Sequence, residues 1–113
     1  MPSKVYFKEA RESGARKPAL AAILTYAPSF KKDSFVAIKI TIGDVTSRHY
    51  VKPELVREVV EKVKADGAKP FVFDTNVLYI GARMNAVGHM NLAYKKGFTP
   101  DAIGAPFIVA DGI

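Results

Sequence analysis

KPFVFDTNVLYIGAR, residues 69–83, carries the strongest structural signal in the sequence. Its apolar core, Phe71 to Phe73, reads as a buried strand. The strand closes at Asp74-Thr75-Asn76 and runs through a loop towards a new helix. In an open α/β sheet, ligands sit outside the carboxyl ends of the strands. An acid, a hydroxyl and an amide in a row at that place form a candidate site. Asp74 suits a cation, a ribose hydroxyl or a proton in flight, and Thr75 and Asn76 suit hydrogen bonds to a ligand. The same residues also suit a local turn, with Asp and Asn capping backbone N–H groups.

Working outward, the elements alternate. KVYF (4–7) is a short strand candidate, and residues 19–30 read as a helix with Pro18 in its first turn. SFVAIKITI (34–42) is β-branched and apolar on both faces, as a covered central strand is. Residues 53–65 carry the clearest helix. Pro53 opens it, Leu55, Val56, Val59, Val60 and Val63 form one apolar stripe, and Gly67 stops it. A third helix spans 85–96 before Gly97, and PFIVA (106–110) is a last strand ending at Asp111. Alternation of this kind predicts an α/β domain, a small three-layer sandwich with a mostly parallel four-stranded sheet. Three helices cover such a sheet unevenly. The expected domain, 1–113, therefore resembles half of a doubly wound domain, or a unit whose sheet is covered by a homo-oligomer or a partner chain.

Composition narrows the function classes. The chain has 113 residues, 49% hydrophobic and 25% charged, in the range of an ordinary globular domain. It has no cysteine, which excludes disulfides, thiolate zinc and a cysteine-held iron–sulphur cluster within these residues. No apolar run is long enough for a membrane helix and the start, MPSKVYFKEAR, has no apolar signal core, so a cytoplasmic location is expected. Glutamine and tryptophan are missing and Lys, Glu and Arg are frequent, which leans towards a thermophilic source. The net charge is +6, but the basic residues are scattered and not interleaved with aromatics. A solvated surface is expected rather than a nucleic-acid face.

Further candidates lie along the chain. Gly81-Ala82-Arg83 precedes the third helix, whose free N–H groups and Arg83 suit phosphate or carboxylate. Neither a dinucleotide fingerprint nor a P-loop is present. Lys39 interrupts an apolar strand, either snorkelling from its end or held in the crevice to bind an anion. Asn85 and His89 share a helix face, four residues apart. Asp111 ends the last strand as Asp74 ends an earlier one. Neighbouring strands would bring these carboxylates together for acid–base work or a cation. His49, His89, Asp44, Asp74 and Asp111 have no recognisable metal-ligand spacing, so no metal site is assigned.

Three segments carry a resemblance: FVAIKITIGD (35–44), KPFVFDTNVLYIGARMNAVGHM (69–90) and GAPFIVADGI (104–113). In this order they resemble the N-terminal part of the domain of unknown function three-six-two family. The resemblance implies an α/β domain allied to ferredoxin-type proteins that carry four-iron–four-sulphur clusters in a region these 113 residues do not contain. It implies either a short paralogue or a piece of a longer protein. It carries over Lys39, Gly43, Asp74, Thr75, Asn76, Tyr79, Gly81, Arg83, Asn85, His89 and Asp111. Two positions depart from it: Thr41 stands where a histidine is expected, and Gly88 where an acid is expected. The leading expectation is a binding or accessory domain for a small anion, held over Asp74 to Asn76 and Arg83 with Lys39 nearby. The alternatives are an enzyme subunit using Asp74 and Asp111, completed by a partner, and a protein-interaction subunit.

Overall fold

The computed structural model describes residues 2–111. The element order is α1 (Ser13–Leu24), β1 (Phe35–Lys39), α2 (Pro53–Ala65), β2 (Lys69–Asp74), α3 (Ala86–Lys95), α4 (Pro100–Ile103) and β3 (Phe107–Val109). The strands form one parallel sheet in the order β1-β2-β3. Lys39 pairs with Phe73 in one ladder, and Asp74 with Val109 in the other. All three strands therefore point their carboxyl ends at the same crest.

Local chemistry accounts for α2 and its exit. Pro53 occupies the first turn, where a missing N–H costs nothing, and Glu54 lies beside it. Val56, Val60 and Val63 are buried along one stripe. Gly67 turns the chain at φ +83°, a conformation that side chains with a Cβ rarely adopt, and β2 starts two residues later. Val60 and Val56 of α2, Leu92 and Ala93 of α3, Phe98, Ile103 of α4, Val72 of β2, and Phe107 and Val109 of β3 form one core.

That core lies on a single face of the sheet. Along β3 the residues alternate buried, exposed, buried, with Ile108 turned outward at 39% exposure. Phe35, at the start of β1, is 78% exposed. The sheet is thus backed by helices on one side and open on the other.

Several expectations change. Among the described residues there are three strands and not four, because residues 4–7 form no strand: Val5 and Phe7 are exposed and have no ladder to join. A β pattern without a neighbouring strand leaves its backbone bonds to water. The three-layer sandwich gives way to a sheet covered on one face. The first helix starts at Ser13 and ends at Leu24, so Pro18 lies inside it rather than in its first turn. Instead of a strand, the N-terminal segment stacks Tyr6 on Tyr26, with ring centroids 4.1 Å apart. The four-residue α4 falls between the third expected helix and the last strand, where none was expected. The expected strand 34–42 shortens to Phe35–Lys39, since beyond Lys39 the chain bends over the end of β2.

Candidate functional site

The crest is built on Asp74. It shares the inner face of β2 with Val72, two residues earlier, so its side chain enters the core and is only 2% exposed. Four donors meet the carboxylate. Lys39 Nζ (3.1 Å) and the Thr75 N–H (2.7 Å) donate to Oδ1, while the Ile42 N–H (3.1 Å) and His89 Nε2 (3.0 Å) meet Oδ2. Burial pushes the acid's pKa up, but the two backbone N–H groups, Lys39 and His89 outweigh it and hold Asp74 below the ordinary carboxylate value. Lys39 stands on the open face at the end of β1. Its ammonium reaches the crest and also donates to the Ile40 carbonyl at 2.6 Å and the Thr41 hydroxyl at 3.3 Å.

His89, wholly buried on α3, links Asp74 to the next residues of the loop. Its Nδ1 lies 3.1 Å from Asn76 Oδ1. The Asn76 amide nitrogen is committed to the Asp111 carbonyl at 2.9 Å, and the Asn76 N–H meets both Asp111 carboxylate oxygens at 2.9 Å. Asn76 therefore offers His89 an oxygen, and Asp74 offers it a carboxylate. Both ring nitrogens of His89 are thus engaged by partners within the network. Asp74 and Asp111 are linked indirectly: His89 joins Asp74 to the Asn76 side-chain oxygen, the Asn76 side-chain nitrogen donates to the Asp111 carbonyl, and the Asn76 backbone N–H donates to the Asp111 carboxylate.

A second cluster ties the β1–α2 loop to the loop after β2. Arg83 is 7% exposed; its Nε donates to Asp44 Oδ1 at 3.0 Å and its Nη2 to the Tyr79 hydroxyl at 2.8 Å. The Tyr79 hydroxyl donates to Asp44 Oδ2 at 2.9 Å. Arg83 and Tyr79 hold the Asp44 carboxyl below its ordinary value. Burial works against the Arg83 charge, but Asp44 and Tyr79 more than offset it. Lys96, from the end of α3, donates to the Ile42 and Asp44 carbonyls. Burial, then the neighbouring Arg83, lowers its pKa. Gly43 is needed at this turn: φ is +76°, and a Cβ there would come within 2.8 Å of the Ser47 Cβ.

Of the expected site residues, Lys39, Asp74, Asn76, His89 and Asp111 share one network, and Arg83 touches it at 3.9 Å from Asp74. Asn85 is the N-cap of α3, accepting from the Gly88 N–H at 2.8 Å. Thr75 is exposed at the crest. Gly88 has a local cause: a Cβ would lie 2.5 Å from the Ala82 carbonyl oxygen, so the incoming loop occupies the space a side chain would need. Lys96 carries no sequence signal beyond its place at a helix end, and Asp44 none beyond its place after Gly43 at a strand end. Among the described residues, no group of three or more His, Cys, Asp or Glu is placed to hold a metal ion. A thiolate-held cluster does not fit this chain, which has no cysteine. Among the described residues, no helix is long and apolar enough to cross a membrane.

Beside the crest, at the end of β1, opens a cleft of about 460 Å³ lined by Thr41, Gly43, Ser47, Arg48, His49, Tyr50 and Val51. Among the described residues, no carboxylate lines it. The Lys52 and Lys96 ammonium groups sit 3.6 and 4.4 Å from the Tyr50 ring centroid.

Residues 36–112 match the family described as "Domain of unknown function (DUF362)", over the N-terminal part of the family domain. No curated protein and no solved structure matches the chain.

Proposed function

The chain belongs to the DUF362 family, and from its geometry we propose that it is a binding domain for a small anion, such as phosphate or a carboxylate. One observation carries this reading. The cleft at the carboxyl end of β1 has Arg48, His49 and the hydroxyls of Thr41, Ser47 and Tyr50 in its wall and no acid among its lining residues, and the Lys52 and Lys96 ammonium groups, which also donate to backbone carbonyls of this loop, sit on its tyrosine. The ligand lies one loop away from the Asp74-Thr75-Asn76 turn, because Arg83 is spent on Asp44 and Tyr79. The Asp74 network then serves as the frame. It fixes the chain from Ile40 to Asp44 through Lys39, Lys96 and the Ile42 N–H, and so shapes the floor of the cleft. Any kinship with iron–sulphur proteins would make this an accessory part near a redox centre held elsewhere.

Thermal unfolding in rising inorganic phosphate tests the reading. At about ten times Kd, binding contributes about 1.4 kcal/mol, or roughly 5–10 °C for a domain of this size. Phosphate also stabilises proteins generally by exclusion from their surface, so the comparison is with Arg48→Ala and Lys52→Ala. The wild-type Tm rises with the logarithm of phosphate concentration, and the variants show a smaller rise. An equal rise in all three proteins overturns the proposal.

A further inference from the structure

The open face of the sheet has its own chemistry. Phe35 and Ala37 of β1, Phe71 and Phe73 of β2, and Ile108 of β3 lie side by side on it, by the register of the ladders. Phe71 and Phe73 pack ring to ring, with centroids 6.1 Å apart. Parallel sheets are stable with helices over both faces, since an uncovered apolar face leaves its transfer free energy unrealised. The charged residues among the outward positions of the strands, Lys39 and Lys69, are both basic. Lys69 stands in register with Phe35, its ammonium 5.5 Å from the ring centroid. Lys31 and Lys32, followed by the exposed Asp33, lie just before β1 at the same edge, with Lys32 packed over Gly67. Among the described residues, none of Lys31, Lys32 and Lys69 forms an ion pair, and the outward residues of the three strands include no acid. A second copy of the chain brings another +6 to the contact, so self-docking is opposed by like charge.

We propose that this face seats an amphipathic helix of another polypeptide. Its apolar stripe covers Phe35, Phe71, Phe73 and Ile108, and its acidic flank faces Lys69, Lys31 and Lys32. The site is separate from the anion cleft, so either reading stands or falls alone.

The test uses the full chain and two labelled helical peptides of about 18 residues, or five turns. Both carry the same leucine stripe; one has glutamates on its flanks and the other lysines. Fluorescence anisotropy should show saturable binding of the glutamate peptide. The lysine peptide should bind at least about tenfold more weakly, with the difference shrinking as salt is added. Ile108→Glu should abolish binding, and Lys69→Glu should weaken it, with circular dichroism unchanged. Four results would each overturn the proposal: no binding of the glutamate peptide at about 0.5 mM, equal affinity for the two peptides, full binding by folded Ile108→Glu, or a stable homodimer by light scattering that Ile108→Glu dissolves.

Discussion

Asp74 accepts from Lys39, His89 and two backbone N–H groups while almost wholly buried. Asp74→Asn removes the charge and turns an N–H₂ towards donors, leaving buried groups without partners. It should cost about 3–5 kcal/mol in urea unfolding. Asp111→Asn, on an exposed carboxylate, should cost less than about 1 kcal/mol. Acid sensitivity follows from the same residues. Asp44 and Asp74 have native pKa values below the ordinary 3.8. Between those native values and 3.8 the unfolded chain binds more protons than the folded one, so stability rises with pH there. This stabilisation is fully present above about pH 5 and is lost as pH falls through the native values. Tm measured across the acid range should show that loss in the wild type and a shallower one in Asp74→Asn. The position of Asp74 at a strand end is legible from residues 69–83 alone, but its burial is not, since Phe71, Val72 and Phe73 are all apolar and mark no inner face. Nor are its partners, since Lys39 and Ile42 lie 35 and 32 residues away and meet it only through the β1–β2 ladder.

At the scale of elements, α3 is the joint between the loop after β2 and the core. Asn85 caps it and Gly88 lets the Ala82 carbonyl approach. Gly88→Ala puts a methyl against a backbone oxygen, where no side chain can yield. We expect a loss of about 1–3 kcal/mol, against about 1 kcal/mol for Asn85→Ala, which removes a cap. Equal stability of Gly88→Ala and wild type in urea would show that the 77–83 loop can move aside. The same region explains why some elements are readable and others are not. Helix α2 is legible end to end because proline, stripe and glycine agree. The helix over Pro18 is not, because proline at an interior position breaks the local rule, and only the packing of α1 on α2 supports it. KVYF carries a strand-like composition without a strand to pair with, and pairing is a property of the whole sheet.

At the scale of the molecule, one face of the sheet is covered by helices, the crest is braced by a polar network, and a cleft of basic character lies beside the brace. The one-sided covering is not legible from a count of elements, since the pattern gives three helices and four strands where the described residues form four helices and three strands. Nor is the cleft, because its lysines come from α2's approach and from the end of α3, 44 residues apart in the chain and joined only over Tyr50. The central claim is that the Asp74 network is the frame and the β1–α2 loop holds the ligand. The most direct measurement is a ¹H–¹⁵N correlation spectrum of the labelled chain titrated with inorganic phosphate at constant ionic strength. Saturable shifts concentrated in the amides of residues 43–52, and their loss in Arg48→Ala, are expected. Shifts centred instead on Asp74, Thr75 and Asn76, or none in either region, would contradict that claim.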